Sequence, residues 1–415
     1  TYTLTGNLVD LKDFSGQNSW ILSQSSVNQN IDLDVLFNDQ GARSSWISTQ
    51  GNGGLNFNNI SIGGAVTELR FAGQNTNGII TVNGDISGIG KPVVVGRDNN
   101  NTLQANTRVE FDGSNTYTGD TRIDAGILRL GNAGDLSDDT DVFIASSGTF
   151  DLNNQSVTVN SVAEASSGNS GVIDLGSGTL TIAGNYLGTK FQNSISGTGS
   201  LVKNGSGTLG LFGAQTYTGT TTINGGTLQI LSDMSSTEII VNSGATLNIA
   251  GKSTTNNLTI NTGGPVQPNG FTQTVNGDIN SAGTYDFNGG GSPLIVNGNI
   301  NIADGTFNLS TVPGGDLELT GNFNKTGGTF NCNDRAIFFT GTGNQLFEST
   351  ITEVINFLDN ENLNGILTIN SDVNIPNSSN LWVFGFGSST TIPAGVTLTF
   401  GDQTEFTSNS GGIVN

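Results

Sequence analysis

The sequence predicts an all-β chain folded as a parallel β-solenoid, and three observations carry that reading. Short runs of alternating apolar and polar residues recur from one end to the other, separated by Gly, Asn or Asp. No apolar stripe with a 3.6-residue period persists over three turns, so amphipathic helices are not indicated. One segment also repeats without gaps about a hundred residues further on, and internal repetition with short strands favours a stacked architecture over separate sandwiches.

The strand signals come in order along the chain. Val66-Thr67-Glu68-Leu69-Arg70-Phe71 is followed by Ile79-Ile80-Thr81-Val82 and, later, Gly178-Thr179-Leu180-Thr181-Ile182. Ala245-Thr246-Leu247-Asn248-Ile249, Leu258-Thr259-Ile260 and Gly395-Val396-Thr397-Leu398-Thr399-Phe400 continue the pattern. Period-two alternation with β-branched residues marks half-buried strands of about four to six residues. Asn83-Gly84, Asn224-Gly225, Asn276-Gly277 and Asn297-Gly298 supply residues that tolerate positive φ in the turns between them. The repeated core is Thr-Tyr-Thr-Gly-x-Thr-x-Ile-x-x-Gly-x-Leu, at Thr116 to Leu128 and again at Thr216 to Leu228. Coils of about twenty residues would pair each strand with its equivalent about 4.8 Å along the axis, giving roughly twenty coils and a rod on the order of 100 Å long. Ile123, Leu128, Ile223 and Leu228 are expected to point inward. Outward Thr and Asn are expected to form ladders with their own kind. The chain reads as one continuous rod in three stretches: N-terminal coils over 1–108, repeat coils over 109–260 and C-terminal coils over 261–415.

Composition removes several function classes. Charged residues are 11% of the chain, too few for charge-driven disorder. Asn fills roughly one position in eight, and with 61 Gly it disfavours helix throughout. Thirteen Lys+Arg against 34 Asp+Glu leave a formal net charge of −21. No basic stripe exists to neutralise nucleic-acid phosphates or to adsorb to anionic lipid. His is absent, which removes Ser-His-Asp and Cys-His catalysis and zinc sites built on imidazole. Cys332 is the single cysteine, so no internal disulfide or paired-cysteine metal site forms. Its scarcity is compatible with export as an unfolded chain. No run of eighteen apolar residues occurs to span a bilayer as a helix. The chain starts at Thr1 without a basic-then-apolar leader, and it reads as a fragment of something longer.

The run Ile195-Ser196-Gly197-Thr198-Gly199-Ser200-Leu201-Val202-Lys203-Asn204-Gly205-Ser206-Gly207-Thr208-Leu209, continuing through Gln215-Thr216-Tyr217-Thr218-Gly219 to Leu228, resembles the autotransporter-associated β-strand repeat. The stretch Val109 to Leu130 resembles it as well. The resemblance implies a right-handed β-helix in the passenger region of a large secreted or surface-displayed protein of a Gram-negative bacterium. That repeat family is defined by architecture and brings no catalytic residues with it.

Candidate sites are few, and each has a structural reading beside the functional one. Asp135, Asp138, Asp139 and Asp141 form the densest acidic cluster, which reads as a calcium site or as a solvated turn. The turn is preferred because the Gly and terminal Glu of a calcium loop are missing. Asp32 with Asp34, and Asp359 with Glu361, have the two-residue spacing that puts carboxylates on one strand face, as an acid/base pair requires. Neither pair has Arg or Lys close by, so exposed strand carboxylates are the preferred reading. Trp382, Phe384 and Phe386 share one strand face, and Trp20 and Trp46 stand alone. Such rings stack on sugars or fill a core, and core filling is preferred. Cys332 reads as a buried apolar residue with Arg335 as its one basic neighbour. Thr220-Thr221-Thr222 raises ice binding, against which the Thr spacing is uneven.

The sequence therefore reads as a non-catalytic extracellular stalk, fibre or adhesive element, with no catalytic, cofactor or metal residue assigned. Its expected partners are further repeats or copies of itself, and glycans or cell surfaces. The alternatives are a polysaccharide lyase or hydrolase on the same scaffold, and a glycan- or ice-binding module.

Overall fold

A computed structural model describes residues 3–11, 19–39, 41–75, 77–98, 100–165, 171–185, 189–287, 290–355, 357–361, 364–375, 382–384, 389–400, 406–408 and 413–414. Among these residues there is no helix, and the paired strands run parallel. The antiparallel contact is an isolated bridge between Arg97 and Leu103. The fold is an all-β parallel solenoid, as the alternation and the repeat predict. The chain divides into two compact units, Thr1–Gly219 and Thr220–Asn415.

In the first unit one face stacks Trp20–Ser23, Arg43–Thr49, Val66–Gly73, Val93–Val95 and the first half of Thr121–Leu130. A second face stacks Gln29–Phe37, Leu55–Phe57, Ile79–Val82 and Arg108–Phe111 against the second half of that same strand. Thr121–Leu130 turns the corner between the faces at Gly126, whose φ of 76° suits a residue without Cβ. Coils here are longer than twenty residues: Trp20 pairs with Trp46 and Val94 with Arg122. The extra residues lie in turns, which stack less strictly than strands.

The second unit is more regular. Its three main faces begin at Thr221–Ile223, Gly226–Ile230 and Ser253–Thr255, and each adds one strand per coil. Inward positions hold the core. Ile123, Leu128, Ile223 and Leu228 are all fully buried, as alternation predicts. Because the pairing is in register, identical side-chain types meet above and below. Tyr285 and Phe307 stack with ring centroids 4.5 Å apart, and Phe323 stacks on Phe347 at 4.9 Å. These spacings lie in the favourable range for offset rings.

Outward positions use the same register for hydrogen bonds. The Asn301 amide donates to Asn280 Oδ1 and Asn324 donates to Asn301 Oδ1, both at 2.9 Å. A second ladder runs Asn261 to Asn242 to Asn224, 2.6 Å at each step. At the turns, Asn257, Asp278, Asn299 and Asn322 each accept a backbone N–H from the next coil. Asn301 and Asn242 thus each donate to one neighbour while accepting from another, so the surface is polar without many charges. Threonine contributes less to these ladders than the sequence suggests. The hydroxyls of Thr121 and Thr140 pair inside the core instead, 3.0 Å apart.

The repeated motif is explained by these needs. Tyr117 is fully buried, and its hydroxyl lies 2.6 Å from Thr121 Oγ1. Thr140 Oγ1 then donates to the Gly119 carbonyl at 2.7 Å, closing the chain of hydroxyls. In the second copy Tyr217, Thr221, Ile223 and Leu228 are likewise buried, and Gly226 has φ of 61°. The motif's fixed positions are therefore occupied with folding.

Two substitutions separate the contributions of core and surface. Phe307→Ala removes a ring stacked on Tyr285 and is expected to cost about 3–5 kcal/mol. Asn301→Ala breaks two ladder bonds at the surface and is expected to cost about 1–2 kcal/mol. Urea unfolding followed by circular dichroism measures both, and equal losses would contradict a core-dominated coil.

Candidate functional site

The acidic positions of the sequence do not converge. Asp138 and Asp139 are exposed, whereas Asp135 and Asp141 are half-buried and already engaged. Asp135 Oδ1 accepts the Leu136 N–H at 2.8 Å. Asp141 Oδ1 accepts from the Asn160 amide at 2.7 Å and the Ser161 hydroxyl at 2.6 Å in the next coil. Burial raises the Asp135 pKa above its ordinary value; its bond to Leu136 lowers it and the Asp138 charge raises it further. Asp120 is raised too, by burial first and then by Asp141, against the pull of Arg122. Among the described residues no three acidic or thiol side chains gather where a metal ion could sit.

Asp32 and Asp34 share the outward face of Gln29–Phe37, and Asp34 Oδ1 accepts the Asn59 amide at 2.9 Å. The Asp359–Glu361 pair is split by the end of the strand at Asn360. Asp359 is buried with Oδ1 lacking a partner, while Glu361 is exposed. Burial, reinforced by the Glu361 charge, pushes the Asp359 carboxyl up to about 7, with the Asn360 N–H acting against it. Cys332 is buried, and its thiol donates to the Val354 carbonyl at 3.4 Å. Arg335 points its Nε to the Asn333 carbonyl. Thr221 is buried, so Thr220-Thr221-Thr222 presents no flat row of hydroxyls. Trp382 and Phe384 lie on a strand paired with Phe406–Ser408, but their side chains, and Phe386 altogether, are outside the described residues.

Parallel register brings Trp20 and Trp46 together, although 25 residues separate them in sequence. The rings stack with centroids 5.3 Å apart and planes 8° from parallel. Trp46 is nearly covered at 8%, whereas Trp20 is 52% exposed. One coil further, Arg70 follows Trp46 in the same outward row. Its guanidinium is held by Glu68 at 2.7 Å and by the Asp98 carbonyl at 2.9 Å. Arg97 and Arg122 both reach Asp124, and Arg122 lies over the Phe143 ring at 5.9 Å. Carboxylates thus neutralise the arginines beside this row, and its outer end is an apolar indole face.

Charged groups that sequence reasoning passed over lie inside the coils. Lys203 ends the strand Ser200-Leu201-Val202-Lys203 at an inward position and is 2% exposed. Its ammonium donates to the Gly205 carbonyl at 2.6 Å. Burial lowers its pKa from 10.5 to about 8. Lys325 ends Phe323-Asn324-Lys325 in the same way, and it meets buried Glu353 at 2.9 Å. Ser349 donates to the same carboxylate. Alternation was the available signal, since both lysines fall where an apolar residue is expected. Their partners come from turns and later coils, which alternation does not place.

The comparisons with known proteins follow this architecture. Residues 108–130 and 201–230 match the passenger-associated-transport-repeat family. Over 118 residues, 27% of this chain, it is 44% identical to the adhesin BmaC autotransporter of Brucella suis biovar 1 (strain 1330). That stretch covers about 3% of the relative's length. No solved structure matches the chain significantly.

Lys203 makes a pH test of the core. Between pH 8 and 10.5 the unfolded chain holds a proton that folded Lys203 has released, so stability rises with pH across that window. The rise is expected to be on the order of 1–3 kcal/mol. Lys203→Met is expected to abolish it, as read from urea midpoints between pH 7 and 10.5. For the buried pair, Glu353→Ala is expected to cost about 3–5 kcal/mol by stranding the Lys325 charge, with much of the loss recovered in the double variant Lys325→Met/Glu353→Leu.

Proposed function

We propose that this chain is a non-catalytic adhesive or structural element of a protein displayed at the outer surface of, or secreted by, a Gram-negative bacterium. The observation that carries the reading is how the repeat residues are used. Tyr117, Thr121, Ile123 and Leu128 are spent on packing and internal hydrogen bonds. The motif shared with passenger repeats therefore builds a scaffold. Local identity to an adhesin supports the adhesive role. An enzyme on the same scaffold would need clustered carboxylates with a nearby base. Here Asp141 is bonded to the next coil, Asp34 to Asn59, and Asp359 is buried apart from Glu361.

The adhesive contact we assign to the Trp20–Trp46 stack. A rigid indole backed by a second indole offers a flat apolar face at low conformational cost, which suits the C–H face of a neutral sugar ring. The net charge of −21 disfavours acidic polysaccharides. Partners in this reading are neutral glycans on a cell surface, and neighbouring repeats or further copies of the chain.

Immobilised neutral and acidic polysaccharides distinguish the readings. Binding to neutral glycans without turnover is expected, falling at least tenfold in Trp20→Ala while the circular dichroism spectrum is unchanged. Release of reducing ends that a single Asp→Asn substitution abolishes would instead establish an enzyme.

A further inference from the structure

One place in the second unit breaks the coil-on-coil rule. The sheet that starts with Gly226–Ile230 in that unit adds a strand per coil and ends at Thr329–Asn331. In the next coil the strand Glu353–Val354 does not join it; that strand instead begins a separate sheet with Val373–Ile375. On the other two faces the same coils remain paired, Phe323–Lys325 with Gln345–Ser349 and Ala336–Phe339 with Phe357–Asn360. The stack is therefore open on one face only. The opening is a cavity of about 450 Å³ between Thr329–Asp334 and Ile351–Val354.

Hydrogen-bond alternation shows what the two walls present. Thr329 N–H donates to the Gly305 carbonyl, and the Asn331 carbonyl accepts from Leu309, so both residues face the coil below. Within a parallel strand, successive residues direct their N–H and C=O to opposite sides. Phe330 therefore turns its backbone groups into the opening. Across the gap, Glu353 and Ile355 donate upward to Asp372 and Asn374. Val354 N–H accordingly points down into the same opening. Cys332 pins one end of the slot through its thiol bond to the Val354 carbonyl. At the rim Ile351 is 57% exposed and Val354 is 52% exposed, although both are apolar.

We propose that this slot is a β-augmentation site for a short extended segment of a partner polypeptide. A strand edge captures another chain through main-chain bonds, and neighbouring apolar side chains supply selectivity. The segment would bond to Phe330 and seat a β-branched side chain against Ile351 and Val354. Asp334 is the exposed charged residue of the lining, since Glu353 is buried against Lys325. With a net charge of −21 on the chain, the partner segment is basic. The buried Lys325–Glu353 pair lies beneath the opening and fixes the lower end of Glu353–Val354 within the core.

The probe is a capped hexapeptide of alternating valine and threonine with one terminal lysine. Hydrogen–deuterium exchange of the whole chain, read by mass spectrometry, is expected to slow at least tenfold in segments 329–334 and 351–355 when the peptide is added, and nowhere else. Ile351→Lys and Val354→Lys place like charges against the peptide's lysine at exposed positions, where they do not threaten folding. Each is expected to weaken peptide binding at least tenfold by fluorescence anisotropy, with an unchanged melting temperature. Unaltered exchange at millimolar peptide would overturn the proposal. So would undiminished binding by both variants, or protection of these segments by a neutral oligosaccharide and not by the peptide.

Discussion

In-register parallel pairing from coil to coil is the constraint on which the other features depend. It places each side chain about 4.8 Å from its equivalents in adjacent coils. Apolar residues then form continuous columns, aromatic rings stack and amides bond head to tail. Tyr285 over Phe307 and Asn280 through Asn324 are the same geometry applied to different chemistry. A like-charged column at that spacing would repel itself, which gives a physical reason for outward rows built of Asn rather than Asp or Lys. Where carboxylates do enter the rows, they accept N–H or amide donors, as Asp278 does from Asn299.

The same rule shapes where chemistry is available. Residues inside a regular coil are held by their neighbours above and below, and few remain free to act on a substrate. The two proposed contacts therefore use exposed groups. Trp20 is 52% exposed. At the interruption between Thr329–Asn331 and Glu353–Val354, the Phe330 backbone and the Val354 N–H face the opening. The two places differ in kind, since one offers a ring face and the other a strand edge, and each suits a different partner.

Buried charge is the costly exception to an otherwise economical design. Lys203 and Lys325 occupy inward strand ends where apolar residues would stack without penalty. A buried ion pair contributes little net stability by itself but strongly penalises loss of one partner. Lys325–Glu353 joins two coils at the level where Thr329–Asn331 and Glu353–Val354 are not paired.

Local pattern determined the strands, their inward residues and the repeat, because alternation and β-branching act within five or six residues. Ile123, Leu128, Ile223 and Leu228 were legible for that reason. The amide ladders were legible as well, from the abundance of Asn in outward positions. Coil length was not, since it depends on turn residues whose number varies freely as long as the strands stay paired. Tertiary structure alone decided that Trp20 meets Trp46, that Lys325 meets Glu353, and that Asp359 and Glu361 part at a strand end. Those outcomes depend on which residues of different coils come level. That register is fixed by the sum of contacts along the whole stack, and no short stretch of sequence contains it.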